Sequence, residues 1–358
     1  MEYNTIYSGK HEKIKNVGGH VQGIAVDTAR GFVYFSFTTI LLKTDMLGNP
    51  IGSACNLAGH LGCITLDREK NKVYGSLELK HDAIGRGIID KIGYDSSEKD
   101  SFYLVSFDVD KIDRMDMDVE KEGIMKAVCL HDVIADYEEC DEVSGAKHRY
   151  GCSGVDGTAL GPVFGAPSDS ERKIMIAYGV YSDNERSDND NQVILQFSTL
   201  IFDEYGQTLN QRHPHRSGPE HAEERYFLFT GNTTYGIQNL EYDSYSNSYF
   251  VAVYPGKKDE YSNFSTFVIN NEISAREEKI VGRNGEIGKN LTLRRIGESD
   301  KSGKDIYGAR FSLGDTGIAS MGDGTFYIST PMHDEDGHSS LIKKYTLDLS
   351  DPNLFKEI

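Results

Sequence analysis

The sequence predicts an all-β chain of five repeated units, each of four antiparallel strands, closed into a ring. Five segments share one pattern: Gly, then Ile or Cys, two variable positions, an apolar residue, an acidic or small residue, a turn and a Tyr/Phe-rich strand. They begin at Gly23, Gly62, Gly151, Gly236 and Gly317. Gly (37) and Tyr (21) are abundant among the 358 residues, as short strands joined by tight turns require. No sustained 3.6-residue period runs through the chain.

The first unit reads as strands at Gly23–Val26, Phe32–Phe37 and Leu41–Thr44, with a fourth starting near Pro50 after the Leu47-Gly48-Asn49 turn. The second unit opens at Gly62 and places its outer strands at Phe102–Phe107 and Met125–Leu130. The third continues with Ile174–Tyr181, Val193–Phe197 and Tyr226–Thr230. The fourth has Tyr249–Tyr254, Thr266–Ile269 and an outer strand at Leu291–Arg295. The fifth has Phe326–Thr330, Leu341–Leu347 and Leu354–Ile358. The first spacing is that of one plain unit of about 40 residues; the longer ones are single units with long loops.

Tyr3–Gly9 is similar to Tyr226–Gly231, the outer strand that precedes the fourth unit. It is expected to serve as an outer strand of the last unit, closing the ring and covering two edges. Ala83–Ile92 and Ile112–Glu122 are candidates for short helices within loops. No linker divides the chain, so residues 1–358 read as one domain.

This pattern resembles the β-propeller superfamily, in its five-bladed form, over nearly the whole chain. The resemblance implies five four-stranded blades (A innermost to D outermost) around a central funnel. The named propeller motifs are absent: without any Trp there is neither a WD dipeptide nor a Trp-ended Asp-box. Five blades are also similar to the arabinanase-like glycosidases, which use three funnel carboxylates, but that triad has no assigned counterpart here. Asp27, Asp67 and Asp156, at the expected end of strand A, read as Asx caps of the A–B turn.

Alternating strand direction puts the D–A and B–C loops on one face of the disc and the A–B and C–D turns on the other. The A–B turns are short except in blade three, Gly157–Lys173. The B–C loops are long and polar: Lys80–Ser101, Ser182–Gln192, Gly256–Ser265 and Pro331–Ser340. Function on a rigid scaffold concentrates in such loops, so the B–C face is expected to carry the site.

His20, Gln22, His60, His148, Arg149, Tyr150, Tyr235 and Asp315 lie just before strand A, where the approach to the axis forms the funnel rim. Convergent imidazoles suit a divalent metal or acid–base work, so His20, His60 and His148 are the candidate metal ligands. The alternative places each in its own blade interface. Glu78 and Lys80 are two apart and face the same way. Glu78, His60 and His148 are therefore the candidate catalytic groups; an ordinary Glu78–Lys80 ion pair is the competing reading. Lys80, Arg149, Arg186, Asp188 and His333, with Gln22, Tyr150, Tyr235 and Asp315, are the candidate substrate contacts. Arg186 offers a fork for an anion. Cys63 and Cys152 occupy the position held elsewhere by Ile, and read as buried apolar substitutes.

The net charge is −18, which repels phosphate backbones and anionic headgroups. Nucleic acid and membrane are therefore not expected partners; a small polar ligand, a glycan or a protein is. A local basic patch is still compatible with a small anion. The N-terminus has no basic segment followed by an apolar one, which reads as cytoplasmic if it is native and as secreted if a signal peptide has been removed. The five cysteines form no C-x-x-C pair, and reduced thiols are the simpler reading. Two functions follow: a hydrolase or lyase acting on a carbohydrate or another small polar metabolite, or a non-catalytic binding propeller.

Overall fold

The chain is a five-bladed β-propeller. The computed structural model describes residues 5–7, 19–92, 99–140, 145–334 and 337–358. Among these, three α-helices of 10, 8 and 4 residues interrupt an otherwise all-β chain. No helix of the described residues is long and apolar enough to cross a membrane.

Blade one is built from Val21–Asp27, Phe32–Phe37, Ile40–Asp45 and Pro50–Cys55; blade two from His60–Asp67, Lys72–Leu79, Ser101–Asp108 and Met125–Cys129. Blade three uses Cys152–Pro162, Arg172–Val180, Asn191–Ser198 and Glu224–Phe229, and blade four Thr233–Asp243, Ser248–Pro255 and Thr266–Asn270. Blade five is Ile318–Ser320, Thr325–Asp334 and Gly337–Leu347. Within each blade, consecutive strands pair antiparallel.

The hydrophobic core is divided between the blades. One cluster joins Tyr34 and Leu41 of blade one to Leu61 and Leu77 of blade two, and another joins Tyr74 and Phe102 to Tyr178 and Val180 of blade three. Further clusters fill the remaining interfaces, including that between blades five and one. Each sheet thus buries both faces against its neighbours, as a ring of packed sheets demands.

The recurring glycine answers to crowding at the axis. A Cβ on Gly23 would lie 2.9 Å from Cys63 Cα, and one on Gly317 (φ +142°) 2.9 Å from Ile24 Cγ1. Either contact is closer than carbon atoms tolerate.

The ring is clasped at blade five. Thr5–Tyr7 pairs antiparallel with strand C, Thr5 opposite Lys343 and Tyr7 opposite Leu341. Phe355–Glu357 pairs with the other end of that strand, Tyr345 opposite Glu357. The outer edge is therefore shared by both ends of the chain; Tyr3, Asn4, Ser8 and Gly9 of the expected strand lie outside the described residues. Deleting residues 1–9 is expected to lower the calorimetric melting temperature by about 5 °C as one cooperative transition, at ~2–4 °C per kcal/mol for a large domain. An unchanged melt would reduce the segment to a tail.

Several expectations are corrected. Ala83–Ile92 is helical, but Ile112–Glu122 is not: Met117–Asp118 pairs parallel with Pro50–Cys55 and widens blade one. His131–Glu138 forms a helix the sequence did not announce. In blade four the outer position is irregular: Leu293 bridges Ile269, and Ala309 bridges Thr266. Blade three gains Ile287–Asn290 and Arg276–Lys279 outside its fourth strand. Its A–B turn is shorter than Gly157–Lys173, because strand A runs on to Pro162. In blade five, Pro331–Ser340 is largely ladder rather than loop, with Met332 opposite Ser339.

Candidate functional site

The inner strands of blades one to four share a local irregularity. In blade one the register shifts between Val21 and Gly23, leaving Gln22 unpaired; blade two shifts between Leu61 and Ile64. In blade three it shifts between Val155 and Thr158, and in blade four between Ile237 and Asn239. These are β-bulges, which leave a residue out of the ladder and re-aim its side chain. Gln22, Asp156 and Gln238 are released in this way. The Gln238 amide donates to Asp156 Oδ2 at 3.2 Å, and Asn239 Nδ2 donates to the carbonyls of Gln22 (2.8 Å) and Asp315 (3.0 Å). Polar groups of blades one, three, four and five are thereby tied together around the axis.

Blade two supplies the charged wall. His60 stands opposite Glu78 in the ladder. Glu78 Oε2 lies 2.8 Å from Lys80 Nζ, and Oε1 accepts the Val155 amide at 2.6 Å. Lys80 also donates to the Ser153 carbonyl (2.8 Å) and faces Asp82 at 3.4 Å. Tyr181 OH donates to Asp82 at 3.5 Å. Glu78 and Lys80 are each 7% exposed, so this is a buried charge array with satisfied donors and acceptors, the condition under which buried charge is tolerated. Gly154 makes room for it: a Cβ there would lie 1.7 Å from Glu78 Oε1.

Burial drives the electrostatics. It pushes Glu78 up, with Lys80 and the Val155 amide opposing. Burial works against the Lys80 ammonium, but Glu78 and Asp82 outweigh it and hold the charge. Asp156 is raised well above the ordinary carboxylate range, first by desolvation and then by the Glu78 charge, with only partial relief from Lys80 and Gln238. His60 falls to about 3 through burial, with Lys80 and His20 adding to the effect. Burial thus favours the neutral imidazole, and among the described residues its buried Nδ1 has no hydrogen-bond partner. Burial also lowers His20, and raises Asp315 to about 6. Within one site, then, an ion-paired carboxylate, a carboxyl inclined to hold its proton and a neutral imidazole occur together. Burial pushes both carboxyls up, and they differ in that Glu78 is ion-paired to Lys80; two carboxyl groups in unlike environments are what acid–base catalysis uses.

The structure thus brings together Gln22, His20, His60, Glu78 and Lys80, and places Asp315 against Asn239. Tyr235 lies near the start of the inner strand of blade four, in its first register shift, 43% exposed with φ +64°. The other predicted contacts go elsewhere. Arg149 pairs with Glu286 at 3.1 Å and stacks on Tyr150, whose hydroxyl also donates to Glu286 at 2.5 Å. Tyr150 packs on Phe227 at the outside of blade three. Arg186 is no ligand clamp: its fork holds Asp188 with two 2.8 Å contacts and donates to the carbonyls of Lys147 and His148. Its donors are spent on fixing the B–C loop. His333 pairs across the hairpin with His338, ring centroids 4.4 Å apart.

The three histidines do not form a ligand set. Among the described residues no three His, Cys, Asp or Glu side chains are placed to hold a metal ion. His148 Nδ1 meets the Tyr137 carbonyl at 2.6 Å, and its ring lies between Tyr137 and Tyr181; contacts on the D–A loop turn it away from His20 and His60. The cysteines behave as expected: all five are free, with Cys63 and Cys152 buried.

Asp156 is the residue that the repeat misleads on. Asp27 and Asp67 do cap their turns, accepting the amides of Arg30 and of Glu69 and Lys70. The equivalent cap in blade four is Asp243, which accepts the Ser246 amide. Asp156 sits mid-strand in a bulge. The signal for this is the pair of glycines around it, Gly154 and Gly157, since Gly inside a strand pattern marks a bulge or a close approach.

No family model matches this chain, and no curated protein matches it. Among solved structures, a functionally unknown protein from Desulfotomaculum acetoxidans DSM 771 is similar at 11% identity, covering 98% of this chain and 83% of that one, with a TM-score of 0.37. The holo form of the pyranose dehydrogenase PQQ domain from Coprinopsis cinerea is similar at 10% identity, covering 90% and 81%, with a TM-score of 0.39. Neither bears on the site.

Proposed function

We propose that the funnel binds a small polar, hydroxyl-bearing metabolite or glycan and carries out acid–base chemistry of the hydrolase or lyase type. The observation that supports this reading is the contrast between Glu78, paired to Lys80, and Asp156, inclined by burial to keep its proton. Asp156 is then the acid, donating to a leaving oxygen. Glu78 is the base, its proton affinity raised by burial and held in check by Lys80. His60, neutral and with Nδ1 unpartnered, accepts a hydrogen bond or donates one according to its tautomer. Gln22, Gln238 and Tyr235 contact substrate hydroxyls, and Tyr235 offers a ring for stacking.

The test is a panel of glycans, lactones and phosphorylated metabolites, read first as thermal shift and then as turnover. Once a substrate is found, Glu78→Gln and Asp156→Asn are each expected to cut kcat by about a hundredfold or more, the scale of losing a general acid or base. KM should change little and the fold should be retained. A ligand that stabilises the protein, is never converted and binds the two variants as tightly as the native chain would overturn the enzyme reading. Exposed Tyr235 on the rim is the observation that favours a binding propeller instead.

A further inference from the structure

At the A–B ends of the blades, lined by none of His60, Glu78 or Asp156, lies a cavity of about 230 Å3. It is lined by the A–B ends of all five blades, through Ala25, Arg68, Arg172, Glu241 and Ser320 in blade order, and opens to solvent past the exposed Arg68 and Arg172. Glu241 is on the inner strand of blade four, and its Oε1 accepts the Ser320 amide at 2.7 Å. Arg68 donates through Nη2 to the Val26 carbonyl (2.9 Å), and Arg172 through Nη1 to the Leu160 carbonyl (3.3 Å). Each bond anchors a guanidinium on a neighbouring backbone and uses one of its five N–H donors. Among the described residues, neither arginine forms an ion pair.

We propose that this cavity is a binding site for a small hydroxylated carboxylate, its anion held by the Arg68 and Arg172 forks and its remaining oxygen groups set against Glu241. Charge supports the sign of the ligand. Burial pushes the Glu241 carboxyl up to about 8, assisted by Asp243 and opposed by the Ser320 amide, Arg68 and Arg172. The cavity therefore carries two cations beside an acid that is largely uncharged at neutral pH, inside a protein of net charge −18. A protonated carboxyl presents an O–H donor, which matches a carboxylate or hydroxyl oxygen. Two arginine forks match the planar carboxylate. Volume sets the size: at ~30 Å3 per water the space holds about eight waters, and it falls below the ~300–1,000 Å3 of drug-sized sites. A metabolite fits, and a polymer does not.

The probe is malate, titrated calorimetrically into the full chain at pH 7 with inorganic phosphate as the comparison anion. One site is expected. Arg68→Gln and Arg172→Gln should each weaken it at least tenfold, as the loss of a charged hydrogen bond implies. Glu78→Gln in the funnel should leave malate affinity within about twofold, because separated sites act independently. If an arginine variant fails to fold, a malate-soaked crystal decides: density between the two guanidinium groups supports the site, and density elsewhere overturns it. No malate binding at millimolar concentration, phosphate binding as tightly as malate, or loss of malate binding on Glu78→Gln would each overturn the proposal.

Discussion

Replacing Lys80 with Met lowers the stability of the propeller by about 3–5 kcal/mol at pH 7, the cost of breaking a buried ion pair from one side. Glu78 and Lys80 are each 7% exposed and 2.8 Å apart, so removing the ammonium leaves a carboxylate in the core without its cation. It also strips a donor from the Ser153 carbonyl. The cost should depend on pH with a definite sign. Burial already pushes Glu78 up, and loss of Lys80 pushes it further. The variant escapes by protonating Glu78, so its deficit is smallest near pH 5 and grows as pH rises. The double variant Lys80→Met, Glu78→Gln should recover most of the loss, because Gln is uncharged and keeps an acceptor for the Val155 amide. Urea unfolding at several pH values measures this. A deficit that is independent of pH, or a double variant no better than the single, would show that Lys80 contributes packing rather than charge compensation.

Glu241→Gln is expected to stabilise the protein at alkaline pH and to leave it unchanged in acid. The folded-state value of Glu241 is about 8, against 4.5 for an ordinary Glu. A carboxyl raised on folding contributes stability that is fully present below the unfolded value and lost as pH climbs through the folded one. The native chain therefore loses stability between about pH 5 and 8 through this residue, and Gln, which cannot ionise, does not. At ~1.4 kcal/mol per pH unit the ceiling is near 5 kcal/mol. Water in the cavity screens part of that, leaving a gap on the order of 2–4 kcal/mol at pH 9. Denaturant melts at pH 5, 7 and 9 in carboxylate-free buffer make the comparison. A gap that stays flat with pH would mean that Glu241 titrates as an exposed side chain does.

The sequence was most legible where backbone geometry repeats. Gly23, Gly62, Gly236 and Gly317 recur because the axis has no room for side chains, and the Tyr/Phe-rich strands recur because every blade fills the same kind of interface. Thr5–Tyr7 was legible for the same reason, since an outer strand keeps its pattern whichever blade it joins. Glu78 and Lys80 were visible as a pair, because two residues apart on a strand is a fixed geometry.

The site was legible only in part, and Asp156 shows why. By alignment it is a turn cap like Asp67. A bulge and a longer strand carry it into the channel instead, and one inserted residue is enough to change what a side chain faces. Arg186 and Arg149 failed as predicted clamps because sequence shows a charge but not its partner: Asp188 folds back onto Arg186 within one loop, and Glu286 reaches Arg149 from a segment far along the chain. Local chain geometry, repeated five times, thus determined the architecture and its closing strand. Which charges are paired, which carboxyls keep their protons and which histidines diverge was decided only when the blades packed, because burial and long-range partners are properties of the assembled ring.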